Sequence, residues 1–207
     1  MNKAPYLIGI AGPSGSGKTT FAENLFRYLL PWGASHLAID DYYLPDLSKV
    51  KVPKATIRKT DVPQAIDIKL LKTHIQNLRE GKEIQKPIYN FETCNRIAKT
   101  TTVSPTSFII VEGVYAFALR ELTALFNAKI YIDLDLEECL KRRLKRDIEE
   151  RGRNSEEILK QNKESIIPTC ERYVLPFAEF ADLKIQGDQN FEDIKTTVLE
   201  FISNRAK

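Results

Sequence analysis

An apolar run, Tyr6 to Ala11, passes directly into Gly12-Pro-Ser-Gly-Ser-Gly17-Lys18-Thr19. Glycines at the two ends of a G-x-x-x-x-G-K-T stretch let successive backbone N–H groups turn inward around an anion. The lysine then reaches the terminal phosphates of a nucleotide, and the threonine hydroxyl ligates Mg²⁺. The pattern carries this meaning only between a strand and a helix, and both are predicted. Tyr6–Ala11 reads as a strand buried on both faces. Phe21, Ala22, Leu25, Phe26 and Leu29 recur at helical spacing until Pro31 stops the helix, whose N-terminus faces the anion. An ordinary Gly/Ser turn does not require this context. The candidate triphosphate-binding residues are therefore Gly12, Pro13, Ser14, Gly15, Ser16, Gly17, Lys18, Thr19 and Thr20.

Further apolar runs at 36–39, 107–113, 128–135 and 181–185 read as strands separated by helical patterns. Such alternation predicts an α/β fold with a parallel sheet flanked by helices. Between the second and third strands, "DIKLLKTHIQNLREGKEI" places Ile68, Leu71, Ile75 and Leu78 on one helical face and ends at Gly81. The stretch "KPIYNFETCNRIAKTTTVSP" reads as two β-strands about a polar turn at Glu92 to Asn95, a hairpin insertion over about 83–104. After Asp135 come one or two charged helices with a break at Gly152. The last helix, from about Phe191, repeats Phe191, Ile194, Val198 and Phe201 and packs on the sheet. The expectation is one domain over 1–207.

The formal charge is +3, and Lys and Arg alternate with Asp and Glu. This argues for anionic small molecules and against nucleic acid. Cys94, Cys139 and Cys170 form no C-x-x-C pair, which argues against a zinc site or a disulfide framework and suits a reducing cytoplasm. Neither a signal peptide nor a membrane span is predicted.

No N-K-x-D guanine-reading motif occurs; "NKES" at 162–165 lacks the aspartate. "IDDYYLP" follows the second strand, and an aspartate there points into the ligand crevice, where it can take a proton from an attacking hydroxyl or help hold Mg²⁺. Asp40 is the candidate base, with Asp41 the competing choice and a turn or helix cap the other role. Glu112, at the end of "IIVEGVY", either binds the metal or caps the next helix. Arg143 and Arg146 share a helical face, and Arg151 and Arg153 flank Gly152. These arginines form either a phosphate-neutralising lid over about 141–156 or a solvated helix with Arg143–Asp147 and Arg146–Glu150 pairs.

Taken in order, "GPSGSGKTT", "DDYY", "TDVPQAID", "PIYNF…R", "VEGVYA" and "LKRRLKRDIEERGR" resemble the uridine kinase family, related to phosphoribulokinase and pantothenate kinase. The resemblance runs from about Ile8 to Asp182. It implies Mg²⁺-dependent transfer of the terminal phosphate of ATP or GTP to the 5′-hydroxyl of uridine or cytidine, often by a homo-oligomer. Lys18, Asp40, Arg146 and Arg151 then match catalytic positions, and Thr19, Asp40 and Glu112 match the surroundings of the metal. Asp61, otherwise a solvated turn residue, matches the carboxylate that grips the ribose hydroxyls. Tyr43, Tyr89 and Phe91 match aromatic positions around the nucleoside; Tyr89 and Phe91, two apart on a strand, also suit residues that merely face the core. Arg143, Arg153 and Gln161 match other substrate positions.

Two residues depart from the family pattern. Cys94 stands where the family places a histidine at the edge of the base, and Val62 replaces the histidine beside Asp61. A thiol is a weak donor and does not replace an imidazole. Three functions therefore remain in view: a pyrimidine nucleoside kinase, a kinase of another alcohol such as another nucleoside, pantothenate or a sugar phosphate, and a nucleotide-binding regulatory protein. The intact Lys18, Thr19, Asp40 and Glu112 argue against the last.

Overall fold

The computed structural model describes residues 4–205. The chain runs β1 (Tyr6–Ala11), α1 (Lys18–Leu29), β2 (Ala34–Ala38), α2 (Ile68–Arg79), β3 (Ile84–Asn90), β4 (Asn95–Val103) and β5 (Phe108–Glu112). It continues through α3 (Arg120–Thr123), β6 (Ala128–Asp133), α4 (Leu136–Glu149), α5 (Ser155–Gln161), α6 (Ile167–Tyr173), β7 (Leu183–Gln186) and α7 (Phe191–Arg205). Five strands form a parallel sheet in the order β2-β5-β1-β6-β7. That is the α/β architecture expected from the alternating pattern.

Side chains alternate across the sheet because the strand period is two. Leu7 and Ala11 of β1 join Leu71, Ile75 and Leu78 of α2 in one core cluster. Ile8 and Ile10 face the other way, onto Phe21 and Leu25 of α1 and Phe191, Val198 and Ile202 of α7. Each fully buried Leu or Ile contributes about 1.5–3 kcal/mol, so both faces hold the sheet. A third, smaller cluster joins Val50, Ile57 and Val62 under the segment after β2.

Some boundaries differ from the sequence reading. β2 begins at Ala34 and stops at Ala38, not 36–39, because its only ladder partner among the described residues is β5, whose last residue, Glu112, lies opposite Ala38. With no further partner the chain turns at once into a 3₁₀ segment, Ile39–Tyr42, which carries Asp40 and Asp41. β7 starts at Leu183, not 181, because Asp182 turns its carboxylate onto the N–H of Lys129 at 2.8 Å.

The strand order sets the site. β5 lies between β1 and β2, with Glu112 level with Ile10 and Ala38. The glycine loop after β1, Glu112 and the Asp40 turn therefore meet at the carboxyl ends of adjacent strands, where ligands of such sheets bind.

β3 and β4 pair antiparallel in a sheet of their own. The hairpin is tied to the Asp40 turn by polar contacts. Asp41 pairs with Lys86 and accepts from the N–H of Tyr89 at 3.2 Å, while Arg96 donates to the Tyr42 carbonyl at 3.0 Å and to Asp67 at 3.3 Å. Among the described residues no helix is long and apolar enough to cross a membrane, and the three cysteines are free thiols.

Candidate active site

The glycine loop wraps the start of α1. Gly17 sits just before the helix with φ 94°, a left-handed conformation that glycine adopts without steric cost. Gly15, at φ 92°, packs against α4 so closely that a Cβ there would lie 2.2 Å from the Cys139 carbonyl oxygen. The loop thereby touches the helix that carries the arginines, and Arg143 donates to the Ser14 hydroxyl at 3.1 Å.

Lys18 is buried beneath the loop, and the Thr19 hydroxyl donates to Glu112 Oε1 at 3.3 Å. Glu112 is 4 % exposed, and its Oε2 has no hydrogen-bond partner. Burial pushes its pKa up to about 7; the Lys18 cation opposes the shift and the charge of Asp40 adds to it. An unpartnered carboxylate oxygen beside a threonine hydroxyl is the hard-oxygen environment that suits Mg²⁺. Among the described residues no group of three His, Cys, Asp or Glu side chains forms a closed metal cage. That is compatible with Mg²⁺, which commonly keeps waters and takes substrate phosphate oxygens as ligands.

Asp40 lines the cleft together with Lys18 and Thr19, whereas Asp41 is absent from its wall and is engaged by the hairpin. The geometry thus separates the two candidates.

Asp61 is not a solvated turn residue. It is 8 % exposed, and its Oδ2 accepts from Ser165 Oγ at 2.6 Å and from Gln161 Nε2 at 2.9 Å. Gln161 is likewise buried, its Oε1 accepting from Arg153 at 2.8 Å and Arg143 at 3.5 Å. Both partners of Asp61 come from the end of α5 and a following π-helical turn, Asn162–Ile166. A π turn admits one extra residue per turn, often at functional sites; here Gln161, Asn162 and Ser165 are all buried.

The aromatic residues gather on the hairpin side. The rings of Tyr43 and Tyr89 lie 4.9 Å apart, and Tyr89 meets Phe91 edge-on at 5.2 Å. All three line the cleft, as does Cys94. Cys94 sits at the hairpin tip with φ 50°, its thiol 3.5 Å from the Phe91 carbonyl. Val62 does not line the cleft; it is fully buried in the cluster with Val50 and Ile57.

The four arginines converge on one carboxylate. Asp147 Oδ1 is 2.8 Å from Arg146 and 3.3 Å from Arg151, and Oδ2 is 3.0 Å from Arg153 and 3.5 Å from Arg143. Arg143 therefore pairs with Asp147 as i,i+4 spacing suggested. Arg146 turns to Asp147 instead of Glu150, because the fully buried carboxylate is the stronger attractor. Burial alone would raise the pKa of Asp147; the arginines, Arg143 foremost, overcome this and hold it low. Arg151 also lies over the Phe91 ring at 3.9 Å, joining the arginine segment to the hairpin.

One cleft thus gathers Pro13, Ser14, Lys18, Thr19, Asp40, Asp61, the aromatic residues and all four arginines. Glu112 lies behind Thr19, outside the wall. Gly17 and Thr20 face a second cavity beyond the loop, bounded by Asn24, Arg142 and Gly187. Sequence reasoning saw Asp147 only as the surface partner of Arg143, and it missed Ser165, Thr169 and Tyr115. Tyr115 follows Glu112 by three residues and is buried in the cleft wall, where the Thr169 hydroxyl also lies. A usable signal existed for Asp147, inside the arginine-rich motif, and for Tyr115, inside "VEGVYA".

A model of the Phosphoribulokinase / Uridine kinase family matches residues 7–192. The chain belongs to this family. It is a kinase that transfers phosphate to an alcohol. Among curated relatives, a uridine kinase of Brevibacillus brevis is 38 % identical over 187 residues, covering 90 % of this chain and 87 % of the relative. A uridine kinase of Clostridium tetani is 36 % identical over 191 residues, covering 92 % of this chain and 91 % of the relative. The fold is shared more widely. D-glycerate 3-kinase from Cryptococcus neoformans superposes with a TM-score of 0.68 at 17 % identity, covering 92 % and 90 % of the two chains. Phosphoribulokinase from Rhodobacter spheroides does so with a TM-score of 0.65 at 16 % identity, covering 89 % and 71 %.

Proposed function

We propose that this kinase transfers the γ-phosphate of ATP or GTP to the 5′-hydroxyl of uridine or cytidine. The observation that carries this reading is Asp61. A buried carboxylate in the cleft, fixed through one oxygen by Ser165 and Gln161, leaves the other oxygen with a single long contact, from Thr60 at 3.3 Å. Such a group suits a vicinal diol, which needs anionic acceptors held in place. The Tyr43, Tyr89 and Phe91 rings supply a dry stacking wall for a planar base. Relatives at 36–38 % identity that bear the name uridine kinase favour the same acceptor.

In this scheme the glycine loop and Lys18 hold the donor phosphates. The second cavity beside Thr20 and Arg142 takes the donor's base. Asp40 accepts the proton of the attacking hydroxyl, and the arginine segment serves as a lid whose Arg146 and Arg151 neutralise charge on the phosphoryl in transfer. Thr19, Glu112 and Asp40 would hold Mg²⁺, which when bound shields the charge of the phosphates.

A second reading, a related kinase of another small alcohol, is favoured by Cys94. Its thiol lies at the hairpin tip where a base edge would be read, and is directed to its own turn carbonyl. ADP release measured with uridine, cytidine, other nucleosides, pantothenate and sugar phosphates at fixed Mg²⁺ and donor separates the two. Fastest release with uridine or cytidine supports the first reading. Fastest release with a non-pyrimidine acceptor overturns it in favour of the second.

A further inference from the structure

The two oxygens of Asp147 do different things. On the Oδ2 side, Arg143 and Arg153 are pinned by other groups as well. Arg143 donates to Asn162 at 3.2 Å, Ser14 at 3.1 Å and Gln161 at 3.5 Å, and Arg153 donates to Gln161 at 2.8 Å. On the Oδ1 side, Arg146 is held, among the described residues, by Asp147 alone, through Nε at 3.1 Å and an Nη at 2.8 Å. Among the described residues Arg151 has one ion pair, to the same oxygen at 3.3 Å, and otherwise rests on the Phe91 ring. A carboxylate accepts about four hydrogen bonds, while four guanidinium groups offer about twenty N–H donors. Arg143 and Arg153 spend donors on Asn162, Ser14 and Gln161 as well, whereas most of those on Arg146 and Arg151 are left for another anion.

We propose that Asp147 is the positioning residue of the lid and a stand-in for the phosphoryl group. It gathers the four arginines over the phosphate loop, and when donor phosphate arrives Arg146 and Arg151 exchange Oδ1 for phosphate oxygens. Arg143 and Arg153 stay in place. The proposal rests on the donor-phosphate reading of the cleft given above. Its physical basis is competition between anions. One buried negative charge among four guanidiniums keeps like charges from splaying apart, and the same charge opposes an incoming polyanion.

This separates affinity from rate in a way that a purely structural role does not. In Asp147→Asn the competing charge is gone, so tripolyphosphate, titrated calorimetrically into the full chain without acceptor, binds about threefold or more tighter. The arginines lose their gathering point, and turnover with complete substrates falls about tenfold to a hundredfold with no rise in the donor KM. Weaker or unchanged tripolyphosphate binding, or unchanged turnover, overturns the proposal. The Lys18→Ala variant is the control: it loses tripolyphosphate binding if the anion sits at the loop, and unaltered binding would instead defeat the underlying site reading. If Asp147→Asn does not fold, the arginine Nε resonances of the ¹⁵N-labelled wild-type chain decide, assigned with Arg→Lys variants. Tripolyphosphate should shift Arg146 and Arg151 and spare Arg143; a shift confined to Arg143 or Arg153 overturns the exchange.

Discussion

The proposed donor end and the proposed acceptor end of the cleft are built by different means. The phosphate loop of the donor end is one contiguous stretch, 12–20, whose shape comes from backbone: left-handed glycines, a helix start, and a loop pressed on the Cys139 carbonyl. The acceptor end is made of side chains from distant segments. Asp61 meets Ser165 and Gln161 across about a hundred residues of chain, and Asp41 holds a hairpin 45 and 48 residues away. A backbone-built site fails when an atom is added, whereas a side-chain-built site fails when a charge is removed.

The largest expected effect tests the first half of that contrast. Gly15→Ala adds a methyl group at φ 92° and 2.2 Å from a carbonyl oxygen. Acceptor-dependent ADP release should fall more than about a hundredfold, with about 2–4 kcal/mol lost from unfolding stability. Retention of both would show that the loop does not depend on close backbone packing. At the other end, Asp61→Asn keeps the shape and removes the charge. The acceptor KM should rise about 10- to 100-fold while the donor KM stays within about twofold. Equal rises in both would erase the distinction between the ends.

Glu112 lies where the ends meet, and its signature is a pH dependence. The ligand-free folded protein keeps the proton of Glu112 up to about pH 7, whereas an ordinary glutamate releases it near 4.5. The folded state therefore binds the proton more tightly, and metal-free stability declines as pH rises through this window. Glu112→Gln should raise metal-free stability at pH 8 by about 1–3 kcal/mol and leave it unchanged at pH 5. A stabilisation of equal size at both values would refute the buried-charge explanation. The smallest effect is expected from Cys94→Ser at the exposed hairpin tip, less than about threefold in acceptor kcat/KM. A larger loss would make the thiol part of acceptor recognition.

The same contrast explains what was legible in the sequence. Strand alternation, the glycine loop and its helix are local patterns, and the structure returned them with edge adjustments: β2 and β7 shift, β5 closes in to 108–112 and β6 stops at Asp133. Asp61 and Gln161 carry no local mark of burial; composition leaves both as surface residues, and only the likeness to a family pointed to them. Arg146 shows the limit of i,i+4 reasoning. Its spacing to Glu150 is suitable, but its neighbour Asp147 is buried among four guanidiniums and takes the contact. Val62 shows the reverse error. Its position beside Asp61 suggested a role in acceptor choice, yet it faces a small apolar cluster away from the cleft.

The central claim is that both ends serve one reaction, with Asp40 taking the proton of the acceptor hydroxyl next to the bound donor. The most direct measurement compares acceptor-stimulated ADP release and donor affinity in the wild type and Asp40→Asn. Donor affinity should remain within about twofold, and stimulated release should fall about 10²- to 10⁴-fold. Stimulated release at the wild-type rate in Asp40→Asn would contradict the account.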